Sequence, residues 1–130
     1  MSNTPFAMLG GDAPLKRLVD AFYDHMEALP ATHPLRSMHS TDLTPMREKL
    51  FEFLSGWLGG PDRYSQRPDA QCMGSAHARL DITTESADAW LECMNAAMTD
   101  VDASPEFREL VKPAFRRMAT AMTKRESTRA

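Results

Sequence analysis

Apolar residues recur at helical spacing in four stretches of this chain, separated by prolines, glycines and capping side chains. The first stretch puts Leu15, Leu18, Val19, Phe22, Met26 and Leu29 on one stripe. Asp12 suits its N-cap and Pro14 its first turn; Pro30 and His33-Pro34 end it, since residues before proline avoid helical dihedrals. A short turn is expected at 35–38. The second stretch has Thr44 as its cap, Pro45 in its first position, and Met46, Leu50, Phe53, Leu54 and Trp57 on an inward face. Arg47, Glu48 and Glu52 fall off that face, and Gly59-Gly60-Pro61 stops the helix. The third starts at Thr83 or Thr84 and runs to about Val101, with Ala87, Trp90, Leu91, Met94, Ala97, Met98 and Val101 inward. The fourth is announced by Ser104-Pro105-Glu106, a cap followed by proline and an acid near the positive helix end. Phe107, Leu110, Val111, Phe115, Met118 and Met122 should face inward, with a kink at Pro113 and a frayed tail over 124–130.

No stretch alternates with a period of two and no segment repeats, so the pattern predicts an all-α fold. Residues 61–82 stand apart as polar and aperiodic, a long connection of the kind that usually carries function, and His77 lies within it. The 130 residues suit one domain over 1–130, with a core at about 12–122 and an extension (1–11) and tail (124–130) outside it. A net charge of −3 gives no basic surface for phosphate backbones, which argues against nucleic acid as a partner. No apolar run is long enough to span a bilayer, and no signal peptide pattern is present, which argues against a membrane partner. Cys72 and Cys93 lack metal-ligand spacing and are read as reduced packing thiols of a cytoplasmic protein. The ten methionines fit flexible core filling.

Four helices can form a plain bundle or enclose a cofactor. This chain has the parts of a haem pocket. The imidazole of His77 could hold iron from one side. Trp90, an indole that only donates, and Tyr23, a phenol, could supply hydrogen bonds on the other side. A diatomic ligand held there gathers partial negative charge, so such donors would slow its release. Phe22, Met46, Leu50, Phe53, Leu54 and Met94 could line the macrocycle and exclude water. His25 reads as a partly exposed helix residue, His33 as a loop residue and Trp57 as helix packing. No paired carboxylates or nucleophile–base pair points to hydrolysis.

The run Phe22-Tyr23, Asp42-Leu43-Thr44, Phe53-Leu54-Ser55-Gly56-Trp57-Leu58-Gly59-Gly60-Pro61, His77 and Asp88-Ala89-Trp90-Leu91-Glu92-Cys93-Met94 resembles the truncated haemoglobins, in particular their second group. The resemblance covers about 12–122 and implies a two-over-two α-helical sandwich holding haem b. It makes His77 the proximal iron ligand and Tyr23 and Trp90 the distal donors. Met46 stands where larger globins often have a distal histidine, and His39 where the family usually has an aromatic residue on the haem. Lys49 matches a basic position that reaches a haem propionate. The usual residues around the proximal histidine are replaced here by Arg67-Pro68-Asp69 and Ala76-His77-Ala78-Arg79-Leu80, so Arg79 or Arg67 is the substitute propionate contact. Tyr23, His39 and water are the alternatives for the sixth iron position.

The implied function is reversible binding, and with it transport, of dioxygen and other small diatomic ligands. The alternative is a haem redox enzyme, oxidising nitric oxide or acting like a peroxidase with a reductase as partner. A haem-free helical bundle that binds a partner is a third reading. The chain is expected to be a monomer or weak homodimer.

Overall fold

The computed structural model describes residues 4–28, 36, 42–68 and 83–123. They form α1 (Pro5–Leu9), α2 (Asp12–Ala28), α3 (Thr44–Trp57), a 3-10 turn (Tyr64–Gln66), α4 (Thr84–Asp100) and α5 (Pro105–Met122). Among the described residues every regular element is helical. Helix α2 pairs with α3 and α4 with α5, and the two pairs meet chiefly through α2 on α4. This is the two-over-two sandwich that the resemblance implied. The expectations for Leu29, His33, most of the 35–38 turn and the 124–130 tail lie outside the described residues.

The caps follow the local chemistry with two corrections. Thr83 and Ser104 cap α4 and α5, their hydroxyls accepting from the Ser86 and Phe107 amides at 3.1 and 3.2 Å. At α3, however, Thr44 is the first helical residue, and its amide donates to Asp42 Oδ1 at 3.0 Å. That bond holds the Asp42 carboxyl below its usual range. The capping role belongs to the aspartate two residues earlier. Asp12 likewise lies inside the first turn of α2, and its carboxylate is taken by both terminal nitrogens of Arg63 at 2.8 Å.

The core forms where the helix pairs meet. Leu15, Leu18, Val19, Phe22 and Met26 of α2 are buried, as are Met94, Ala97 and Met98 of α4 and Phe107, Val111 and Phe115 of α5. Each large side chain removed from water in this way contributes about 1.5–3 kcal/mol. Leu110 was expected inward but is 50 % exposed. Val111, next along the helix, is the buried one of the two.

Helix α1 is too short to show periodicity and was not predicted. Thr4 caps it through the Ala7 amide at 3.1 Å. It docks on the end of α3, with the Phe6 amide donating to the Leu58 carbonyl at 2.9 Å and Phe6 and Leu9 packing against the core. The two glycines after α3 permit this approach. Gly59 adopts a φ of 91°, and a Cβ there would meet Thr4 at 2.8 Å. A Cβ on Gly60 would lie 2.5 Å from the Phe6 ring. So Gly59-Gly60 both ends α3 and seats α1.

Candidate functional site

Of the predicted site, Phe22 and Tyr23 lie on α2, Met46, Lys49, Leu50, Phe53 and Leu54 on α3, and Trp90 and Met94 on α4. Tyr23 follows Phe22 on α2, and the two rings meet edge to face, 4.9 Å apart at 86°. Trp90 reaches the same Phe22 from α4 at 5.3 Å and 60°. Its other ring neighbour, Phe115 of α5, lies at 5.6 Å and 64° and stacks in turn on Trp57 at 4.9 Å and 22°. Such edge-on pairs match the positive rim of one ring to the negative face of the next. The indole is therefore fixed from two helices, and Trp57 packs helices as expected.

Phe22, Tyr23, Leu54 and Met94 have almost no exposed surface, whereas Met46, Lys49, Leu50, Phe53 and Trp90 keep part of theirs. This corrects the expectation of a buried apolar face on α3. Only Leu54 and Ser55 of that helix are buried. Helix α2 and the 3-10 turn pack on α3, and the side bearing Met46, Leu50 and Phe53 remains partly uncovered. His77, His39 and Arg79 lie outside the described residues, as does Cys72.

Electrostatics set the state of the donors. Burial pushes the Tyr23 phenol well above its ordinary range, and the nearby charge of Arg47 pulls the other way without cancelling it. The phenol is thus a neutral donor at physiological pH. Burial, with a smaller push from Glu92, raises the Cys93 thiol to about 11. It is a protonated packing group, in line with its sequence reading.

Several contacts were not legible in the chain. Arg47 Nη1 donates to the Asp20 carboxylate and carbonyl at 3.1 Å, and Nη2 donates to Asp24 at 3.0 Å. Its guanidinium carbon lies 5.6 Å from the centre of the Tyr23 ring. The spacing of Asp20 and Asp24, one turn apart on α2, was the available signal. Arg67, one of the two suggested substitutes for the usual propionate contacts, donates to Glu52 at 2.6 Å. His25 sits 2.6 Å from Asp100 and joins the end of α2 to the end of α4.

The Bacterial-like globin model matches residues 4–124. The chain belongs to the bacterial-like globin family. A group 2 truncated hemoglobin of Bacillus subtilis is 37% identical over 110 residues, 84% of this globin and 80% of that protein. Among solved structures, the group II 2-on-2 hemoglobin of the plant pathogen Agrobacterium tumefaciens superposes with a TM-score of 0.89 at 30% identity, covering 96% of this globin and 97% of that chain. A truncated oxygen-avid haemoglobin from Bacillus subtilis superposes with a TM-score of 0.83 at 34% identity, covering 94% and 100%. The globin thus belongs with the truncated, group II proteins that its tryptophan and Gly-Gly-Pro segments resemble. No helix among its described residues is long and apolar enough to cross a membrane.

Proposed function

We propose that this globin binds haem b and, through it, dioxygen and other small diatomic ligands, with His77 as the proximal ligand and Tyr23 and Trp90 as distal donors. The observation that carries the proposal is the partly uncovered apolar surface of Met46, Leu50 and Phe53 on α3. Soluble proteins seldom leave a contiguous apolar strip without an occupant. A flat apolar ring would cover it, and the methionine there adapts to such a surface. When bound, the haem supplies the iron at which the ligand docks.

The chain's own groups then do three things. The apolar residues exclude water from the pocket. The neutral phenol of Tyr23 and the indole N–H of Trp90 donate to the ligand, and the ring contacts of Phe22 and Phe115 hold the indole in place. Lys49 is the candidate partner for a propionate. For Arg67, the ion pair with Glu52 competes with that role, which leaves Arg79 as the other candidate.

The test is spectroscopic. Purified protein supplied with haem should show a Soret band whose ferrous form shifts on adding oxygen or carbon monoxide. His77→Gly should lose the proximal ligation and recover it when imidazole is added. A wild-type chain that refuses haem, or a His77→Gly spectrum identical to wild type, rejects the proposal.

Two donors beside one ligand also favour a second reading, in which retained dioxygen oxidises nitric oxide and a reductase restores the ferrous state. Turnover with nitric oxide and a reductase would support it. A slow oxygen off-rate without turnover would leave binding alone.

A further inference from the structure

Arg47 has no place in the predicted site, yet its guanidinium engages two carboxylates, a main-chain carbonyl and the Tyr23 ring. Its Nη1 takes the carboxylate and main-chain carbonyl of Asp20, its Nη2 takes Asp24, and its plane lies over the ring of the residue before Asp24. Phe22 holds the same Tyr23 ring edge to face. We propose that Arg47 is a positioning residue for Tyr23: clamped along α2 and set against the phenol ring, it fixes how the Tyr23 hydroxyl is presented to a ligand. The proposal rests on the haem reading above and adds a residue to it.

Three considerations lead there. The first is geometry. Asp20 and Asp24 lie one helical turn apart, so a single planar fork can engage both, and Tyr23 falls beside that line. The contact with the Asp20 carbonyl adds a main-chain anchor three residues before Tyr23. It sets the register of α3 against the turn of α2 that carries the phenol.

The second is the energy of the ion pairs. Asp20 and Asp24 are 44% and 71% exposed as side chains, and pairs so open to solvent contribute little to folding. Their consequence is local: the donor contacts and the ring contact, all made by one side chain, together favour one placement of Arg47 beside Tyr23 over others. The third is the ring. A guanidinium over an aromatic face is attracted to it, which restrains swinging of the whole ring about the Cα–Cβ bond, the motion that moves the hydroxyl. Lysine, a single point charge on a flexible stem, cannot reproduce the fork.

The test uses the full-length chain with 3-fluorotyrosine at both of its tyrosines, Tyr23 and Tyr64, and Tyr64→Phe to assign the signals. Arg47→Met keeps the stem and removes the fork; Arg47→Lys keeps only the charge. Arg63→Met breaks a different ion pair of α2, the one to Asp12, and serves as the structural control. The Tyr23 fluorine should shift and populate a second rotamer about the Cα–Cβ bond in Arg47→Met, move less in Arg47→Lys, and stay in place in Arg63→Met. In the haem-loaded protein, Arg47→Met should move the stretching frequency of carbon monoxide toward that of Tyr23→Phe. Oxygen dissociation should quicken about threefold to fivefold, the scale of one partly exposed cation–π contact. A fluorine signal unmoved by Arg47→Met, or moved equally by Arg63→Met, overturns the proposal. Fluorine signals that respond as expected in a chain that takes up no haem would uphold the Arg47–Tyr23 contact and overturn the haem reading alone.

Discussion

Tyr23 and Trp90 are both donors that stay protonated at physiological pH, for different reasons. An indole N–H does not titrate in that range, and a phenol is neutral there already; burial, by disfavouring the anion, moves its titration further away. Replacing either by phenylalanine removes the donor; at Tyr23 the ring is kept, whereas at Trp90 a smaller ring takes the place of the indole. Each change should speed oxygen dissociation about tenfold, the worth of one hydrogen bond to a partly charged acceptor. Because both rings lean on Phe22, the double variant should depart from the product of the two, which stopped-flow rates on the four proteins would measure. Cys93 gives a residue-scale prediction that needs no haem. Alkylation requires the thiolate, and a thiol raised to about 11 offers very little of it at pH 8. Iodoacetamide mapping by mass spectrometry should find Cys93 unmodified in the native protein and modified in denaturant. The sign for stability follows from the same shift. The folded state prefers the protonated thiol, so its contribution is full below the unfolded value and is lost as pH rises toward about 11.

Among the elements, the seat of α1 on Gly59-Gly60 makes the sharpest prediction. Gly60→Ala drives a methyl group into the Phe6 ring, and relief requires α1 to shift. The cost should be about 1–3 kcal/mol, read from urea unfolding. Phe6→Leu should cost less in the Gly60→Ala background than alone, since the clash is with the ring. If the two losses simply add, α1 is not seated on Gly60. The helices themselves were legible in the chain to different degrees. Both Thr83 and Ser104-Pro105 combine a capping hydroxyl with a change in pattern, so α4 and α5 start where expected. The α3 start was read one residue type off, because Thr44 and Asp42 are both good caps and only the amide geometry chooses between them. The five residues of α1 complete little more than one turn, so no apolar stripe could reveal them. Within the site, Tyr23 and Trp90 could be picked out by type and motif. Arg47 could not, because periodicity assigned it to a solvated face and its partners lie on another helix.

At the scale of the whole molecule, the uneven cover of α3 links stability to the cofactor. On the other helices Phe22, Met26, Met94, Met98, Phe107 and Phe115 are buried, while Met46, Leu50 and Phe53 keep surface that packing within the described residues does not remove. A chain without haem should therefore bind a hydrophobic dye, and haem should displace the dye with one-to-one stoichiometry. Binding to the folded state alone also raises stability by mass action, about 2.7 kcal/mol when free haem is one hundred times its dissociation constant. The melting temperature should climb with haem concentration and keep climbing past saturation of the site. Replacing Leu50 and Phe53 together by glutamine separates this from a general stickiness of haem. Both residues retain surface, so the double variant should stay folded by circular dichroism, lose the dye signal and melt at a temperature that haem barely changes. If instead the variant is stabilised by haem as much as the wild type, the α3 face is not where the ring lies.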